Sequence, residues 1–212
     1  MKIYFDGSSW CWGAVLEDTF QSRFSKIICN KLGAEQYNIS KCGASNSRMV
    51  RQLLVNHKDL SEFDLVVIQM TYPQRMEYYD GDKKKFVDCR NWSETAKLST
   101  KQLREVTWLK KQRKLLLTNA DLDPKDKAWL DYYRYIYEDE YADAYEDIHV
   151  TTIRNYCKVK NIPLILATTK DKKKSKLLYD VYGDLPKKCC FSCGHPNEEG
   201  HAIIAQQILE LI

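Results

Sequence analysis

Short apolar runs and helix-period stretches alternate along the chain. Lys2-Ile3-Tyr4-Phe5 predicts a first strand. Residues 22–32 predict a helix, with Phe24, Ile27, Ile28 and Leu32 on one face and Gly33 as its stop. Residues 36–39 predict a second strand, and residues 47–57 a second helix with Met49, Val50, Leu53 and Leu54 apolar. Asp64-Leu65-Val66-Val67-Ile68-Gln69-Met70 is apolar almost throughout, the pattern of a parallel strand covered on both faces, and Pro163-Leu164-Ile165-Leu166-Ala167-Thr168 repeats it. A last helix follows Pro196. Strands alternating with helices predict an α/β fold, a parallel sheet with helices on both faces in three α/β/α layers.

The stretch between the strands at 64–70 and 163–168 is far longer than one crossover helix needs. Residues 75–125 are therefore expected to be an insertion or a helical cap on a single domain spanning 1–212. They are polar and rich in lysine, as in Lys83-Lys84-Lys85 and Lys110-Lys111-Gln112-Arg113-Lys114. Asp123-Pro124 then reads as the cap and first turn of one long helix over 125–158. Its expected buried stripe is Trp129, Tyr133, Ile136, Ala144 and Ile148, and its acidic cluster over 138–147 is expected to face water.

Composition narrows the function. Of 212 residues, 44% are hydrophobic, enough for a core, and 29% are charged. A net charge of +4 is too small to argue for nucleic acid, and the lysine runs read as solvated faces. No apolar run has membrane-spanning length, so no membrane partner is expected. The first residues lack a signal-peptide core, which sets the expectation of a cytoplasmic protein. The eight cysteines are then expected to be reduced thiols.

Candidate chemistry lies at both ends. The first strand runs into Asp6-Gly7-Ser8-Ser9-Trp10-Cys11-Trp12-Gly13, a turn that presents Ser9 at a strand's carboxyl end, where ligands bind in open α/β sheets. Gly and Ser also suit such a turn for backbone reasons alone. Near the other end, His195-Pro196-Asn197-Glu198-Glu199-Gly200-His201 places a histidine on a loop before a helix, with Pro and Glu suited to its first turn. A serine and a histidine so placed suggest a hydrolase site. After the second strand, Gly43 can bring its N–H close to a substrate oxygen because no Cβ intervenes. Asn46 suits either the N-cap of the next helix or an oxyanion donor.

This order of blocks resembles the SGNH (GDSL-like) hydrolase superfamily, with a flavodoxin-like sheet. Gly7-Ser8-Ser9 with Gly13 resembles the family's first block, Gly43 within Gly-Ala-Ser-Asn matches the second, and His195-Pro-Asn with Gly200-His201 resembles the last closely. The resemblance implies that Ser9 is the nucleophile and His195 its base, with the N–H groups of Ser9 and Gly43 holding the oxyanion. It implies no cofactor. The chain also departs from the pattern. Ser8 stands where the family has aspartate. Gln69-Met70-Thr71 replaces the block that carries its asparagine, leaving Thr71 or Asn46 as a substitute donor. Ser192 replaces the aspartate that orients the histidine, with Asp180 and Asp184 near in sequence. The resemblance thus points to a serine esterase or deacylase acting on a small-molecule or carbohydrate ester, through acyl transfer.

Two other readings stay open. The departures also suit an SGNH-like protein that has lost hydrolysis and binds a ligand. Cys190-x-x-Cys193 with Cys189 and His195 or His201 has zinc-like spacing but lacks a second Cys pair, so no metal is assigned. His201 is expected to be a structural hydrogen-bonding residue, and His57 and His149 to lie at the surface. Arg75, after the third strand, is a candidate for an anionic substrate group or a plain surface arginine. Trp10 is a candidate substrate contact. With Trp12, Tyr72 and Tyr78 it suits stacking on a sugar or an aromatic acyl group, or the core.

Overall fold

In the computed structural model, residues 1–57, 59–88, 124–168, 185–191 and 195–212 are described. In chain order the elements are β1 (Lys2–Gly7), α1 (Ser9–Trp12), α2 (Thr19–Ser22), α3 (Phe24–Leu32), β2 (Glu35–Asn38) and α4 (Asn46–Arg51), which continues as a π-helical turn over Gln52–Asn56. They continue with β3 (Leu65–Met70), β4 (Glu77–Asp80), β5 (Lys85–Asp88), α5 (Pro124–Tyr135), α6 (Asp139–Val159), β6 (Leu164–Thr168) and, after a 3-10 turn at Lys187–Cys189, α7 (Glu198–Leu209).

The four strands β2-β1-β3-β6 form a wholly parallel sheet. Side chains alternate across it, as strand geometry requires. Ile3 and Phe5 of β1 join Val67, Ala167, Phe24, Ile28, Ile204 and Ile208 in a core under α3 and α7. Tyr4 joins Val66, Ile68, Met49, Leu53, Val150 and Ile153 in a second core under α4 and α6. A one-residue slip would exchange the two sets, so both helical layers hold the register. That register sets Gly7 opposite Gln69 at the sheet's carboxyl rim.

The architecture is the expected three-layer α/β/α sheet, and the differences are local. The helix expected over 22–32 is two helices, because Arg23 is extended (φ −71°, ψ 146°) and the Phe24 N–H is held from outside, by the His201 ring. The cap of α4 is Ser45, whose hydroxyl accepts from Arg48 N, and Asn46 is the first helical residue. The helix expected over 125–158 is broken after Tyr135, and the break changes the phase of the buried face. Tyr133 is buried, but Ile136, Ala144 and Ile148 are exposed, and Ala142, Glu146, Val150, Ile153 and Cys157 face inward instead. Glu146 thereby leaves the acidic surface expected of that segment. The expected cap residue Asp123 lies outside the described residues.

The described start of the 75–125 stretch is not helical. It is the antiparallel hairpin β4–β5, whose turn is tied by the Asp80 carboxylate accepting from Asp82 N and Lys83 N. Residues 89–123 lie outside the described residues. Among the described residues no helix is long and apolar enough to cross a membrane.

Candidate active site

The strand β1 ends in a turn with little room. A Cβ on Gly7 would lie 2.6 Å from Cys11 Cβ and 2.9 Å from Gln69 Cβ, so glycine is required for the turn to lie against β3. Ser8 is extended and Ser9 opens the one-turn helix α1, which closes at Gly13 with φ +86°. Beneath the turn sits Gln69, fully buried. Its Oε1 accepts from Ser8 N (3.0 Å), Ser8 Oγ (3.1 Å) and Cys11 N (3.3 Å), and its Nε2 donates to Met70 O (2.8 Å). In the sequence Gln69 reads only as a strand residue, and this role is not expected from it. The available signal was a lone amide in an otherwise apolar strand, since a buried polar group must find partners.

A buried ion pair braces the same strand end. Arg48 Nη1 donates to Asp6 Oδ1 at 2.8 Å and Nη2 to Ile39 O at 2.7 Å, while Asp6 Oδ1 also accepts from Gly7 N at 2.7 Å. Burial pushes the Asp6 carboxyl up to about 6, against the opposing pull of Arg48.

From the far end of the chain, His195 Nε2 lies 3.0 Å from Ser9 Oγ. The loop carrying it is pinned on both sides. Phe191 N donates to His195 O (2.8 Å), Cys190 and Pro196 form an antiparallel bridge, and Asn197 N donates to Cys189 O (3.0 Å). Asn197 then caps α7, its Oδ1 accepting from Gly200 N while its Nδ2 reaches Lys188 O. The residue expected to orient the ring, Ser192, lies outside the described residues, as do Asp180, Asp184 and Cys193.

Gly200 and His201 have separate structural reasons. A Cβ on Gly200 would meet Cys189 O at 2.3 Å and Pro196 Cβ at 2.9 Å. Backbone cannot yield as a flexible side chain would, so Gly200→Ala is expected to destabilise the fold by about 1–3 kcal/mol. It is also expected to move the His195 loop. Urea unfolding read alongside amide hydrogen exchange of the His195 loop checks both, and a variant equal to wild type in the two would remove this account.

His201 is fully buried, and its Nδ1 accepts from Phe24 N at 3.2 Å. It is the structural residue expected, and burial, then the nearby His195, push its pKa down to about 4. The unfolded chain therefore takes up this proton first as pH falls from 6.5 towards 4. Stability is lost on acidification through that window, by about 3 kcal/mol from this group. The raised pKa of Asp6 acts in the opposite direction. The comparison is therefore wild type against His201→Asn, in which the Asp6 contribution cancels. Denaturant unfolding at a series of pH values should show the wild type losing more stability than the variant, and parallel curves would contradict the assignment.

The other expected site residues divide. Gly43 is exposed with φ +76°, on a loop tied to β1 by Lys41 N donating to Gly7 O. Asn46 and Thr71 are bonded to each other, Thr71 N to Asn46 Oδ1 (2.8 Å) and Asn46 Nδ2 to Thr71 O (3.2 Å). The carboxamide expected as an oxyanion donor thus braces the end of β3, and the Thr71 N–H is engaged. Arg75 Nη1 donates to Thr71 Oγ1 at 2.9 Å, and its guanidinium lies over the Tyr72 ring. Trp10, expected at the substrate, packs partly against the core beneath α3 and α7. His57 and His149 are not surface residues as expected. Both are half-buried, His57 edge-on to Tyr4 and Tyr37, and His149 against Tyr145. For zinc, His195 Nε2 is directed at Ser9 and His201 Nδ1 at Phe24 N, which leaves neither of those nitrogens to the cysteines.

No protein-family model matches the chain, and no curated protein matches it in sequence. Solved structures do match. The lipase Lip_vut3 from a goat-rumen metagenome is 10% identical with a TM-score of 0.53, over 99% of this chain and 96% of that one. The psychrotrophic esterase EstA from Pseudoalteromonas sp. is 14% identical with a TM-score of 0.45, over 99% and 94%. A putative lipolytic protein of the G-D-S-L family from Desulfitobacterium hafniense DCB-2 is 11% identical with a TM-score of 0.41, over 100% and 99%. The fold shared with the goat-rumen lipase is this parallel α/β/α sheet. At these identities the likeness is one of fold.

Proposed function

We propose that the chain is a serine esterase that hydrolyses a small-molecule or carbohydrate ester through an acyl-enzyme. The observation that carries this reading is the 3.0 Å contact between His195 Nε2 and Ser9 Oγ, made across 186 positions of sequence at the sheet's carboxyl rim. A nucleophile within hydrogen-bond reach of a base is the arrangement that acyl transfer needs.

In this reading His195 takes the Ser9 proton as Oγ attacks the ester carbonyl. The N–H groups of Ser9 and Gly43 hold the developing oxyanion, with the Thr71 hydroxyl as the third donor. His195 then gives the proton to the departing alcohol. Water, activated by the same ring, releases the acid and restores Ser9. Each oxyanion donor is typically worth about 3–4 kcal/mol of barrier. The test is incubation of the folded protein with a fluorophosphonate, followed by peptide mass spectrometry. A single adduct on Ser9 supports the reading. An intact, unlabelled protein that also fails to hydrolyse p-nitrophenyl acetate supports the rival, a ligand-binding protein that retains the fold without the reaction.

A further inference from the structure

Between the hairpin β4–β5 and the π-helical turn that continues α4 lies a cavity of about 550 Å³. That is within the roughly 300–1,000 Å³ of small-molecule sites. Tyr79, Lys84, Lys85 and Phe86 line it from the hairpin, and Val55 and Asn56 from the turn. Tyr79 and Phe86 oppose each other across the hairpin, edge to face at 5.3 Å, and both rings are exposed. The cations around the cavity differ in what they meet. Arg48 is paired with Asp6, and Arg51 with Glu77 through two 2.8 Å hydrogen bonds. The acids of the hairpin turn are engaged as well, Asp80 by Lys83 and Lys125 and Asp82 by Lys125. Lys84 and Lys85 are exposed, and among the described residues neither has a carboxylate partner. On the turn, Asn56 Nδ2 donates to Gln52 Oε1 at 2.7 Å. Asn56 Oδ1 and Gln52 Nε2 have no hydrogen bond among the described residues, which leaves an acceptor and a donor at the cavity.

We propose that this cavity binds a nucleoside phosphate, with its phosphates on Lys84 and Lys85 and its base on Tyr79. Lysine meets phosphate as a compact point charge on a flexible stem. A base stacks on an aromatic side chain through its π-face, and its edge carries both donors and acceptors, the groups that Gln52 and Asn56 leave open. Lys85 and Phe86 line the cavity from adjacent positions of β5, so one nucleotide can reach ring and ammonium together. Among the described residues the lining carboxylate is Glu77, which Arg51 neutralises. A bare phosphate would leave the rings and the amides unused. An uncharged aromatic compound would leave both ammonium groups unanswered. A nucleoside phosphate meets all three features. The site is independent of the Ser9–His195 reading.

The experiment is isothermal titration of the wild-type protein with ADP, adenosine, pyrophosphate and a short adenine oligonucleotide. ADP is expected to bind about tenfold more tightly than adenosine or pyrophosphate. Lys84→Gln combined with Lys85→Gln is expected to weaken ADP about tenfold and to flatten the salt dependence of its binding. Tyr79→Ala is expected to weaken ADP about fivefold, and Tyr79→Phe, which keeps the ring, to bind it as the wild type does. All three side chains are exposed, so circular dichroism should show the fold intact. Lys158→Gln combined with Lys160→Gln removes the same charge at the end of α6 and is expected to leave ADP binding unchanged. No binding of ADP, adenosine or pyrophosphate binding as tightly as ADP, or binding of the oligonucleotide alone would overturn the proposal. So would an ADP affinity that falls equally in the two lysine pairs or is indifferent to Tyr79→Ala.

Discussion

Ser9→Ala and His195→Ala are each expected to lower kcat for p-nitrophenyl acetate by about 10,000-fold, with KM little changed. The reason is the contact between Ser9 Oγ and His195 Nε2. Without the hydroxyl there is no acyl-enzyme, and without the imidazole the hydroxyl stays protonated and weakly nucleophilic. The two groups act as a unit, so the double variant is expected to be little slower than either single one. Ser9 is half-buried and its hydroxyl can be removed without opening a large cavity, so melting temperatures should stay near that of the wild type. Full activity in either variant would sink the mechanism. Partial activity in His195→Ala alone would mean that another group takes the proton.

Gln69→Leu is expected to have the largest effect of any substitution away from the reacting atoms. The side chain is fully buried, and its Oε1 serves the N–H groups of Ser8 and Cys11 and the Ser8 hydroxyl. Leucine fills similar space but accepts nothing, and each donor left buried and unsatisfied costs about 1–3 kcal/mol. With at least two stranded N–H groups, a loss of about 2–6 kcal/mol follows on the same scale. A fall in kcat should accompany it, because Ser9 is the next residue and its Oγ must stay within reach of His195. Urea unfolding measures the first and p-nitrophenyl acetate turnover the second. If stability held while activity fell, Gln69 would matter to the position of Ser9 alone. If both held, the turn would be stable through its own Ser8 O–Trp12 N and Ser9 O–Gly13 N bonds.

The legible part of the chain was what depends on neighbours in sequence. Apolar runs marked β1, β3 and β6, and the Pro-Asn-x-x-Gly-His block marked the start of α7. The errors came where a contact from elsewhere overrode the local pattern. Phe24 N–H is held by His201, so the first long helix starts later than its apolar period suggests. Asn46 looked like a cap, but Thr71 engages its carboxamide while Ser45 caps the helix. The helix expected over 125–158 breaks after Tyr135 and resumes in a new phase, which buries Glu146 and exposes Ile148. Trp10, for which the sequence left both a substrate contact and the core open, packs partly against the core.

By itself the sequence determined the α/β class and the parallel strands of its sheet, and it singled out Ser9 and His195 as candidates. These follow from side-chain period and from residue chemistry, which are properties of short segments. Only the tertiary structure decided that Ser9 and His195 meet, and that Gln69 and the Asp6–Arg48 pair support the turn between β1 and α1. Those depend on which distant segments share a register. The parallel pairing of β1 with β3, which sets Gly7 opposite Gln69, is fixed by two hydrophobic layers at once and is written in no single stretch of the chain.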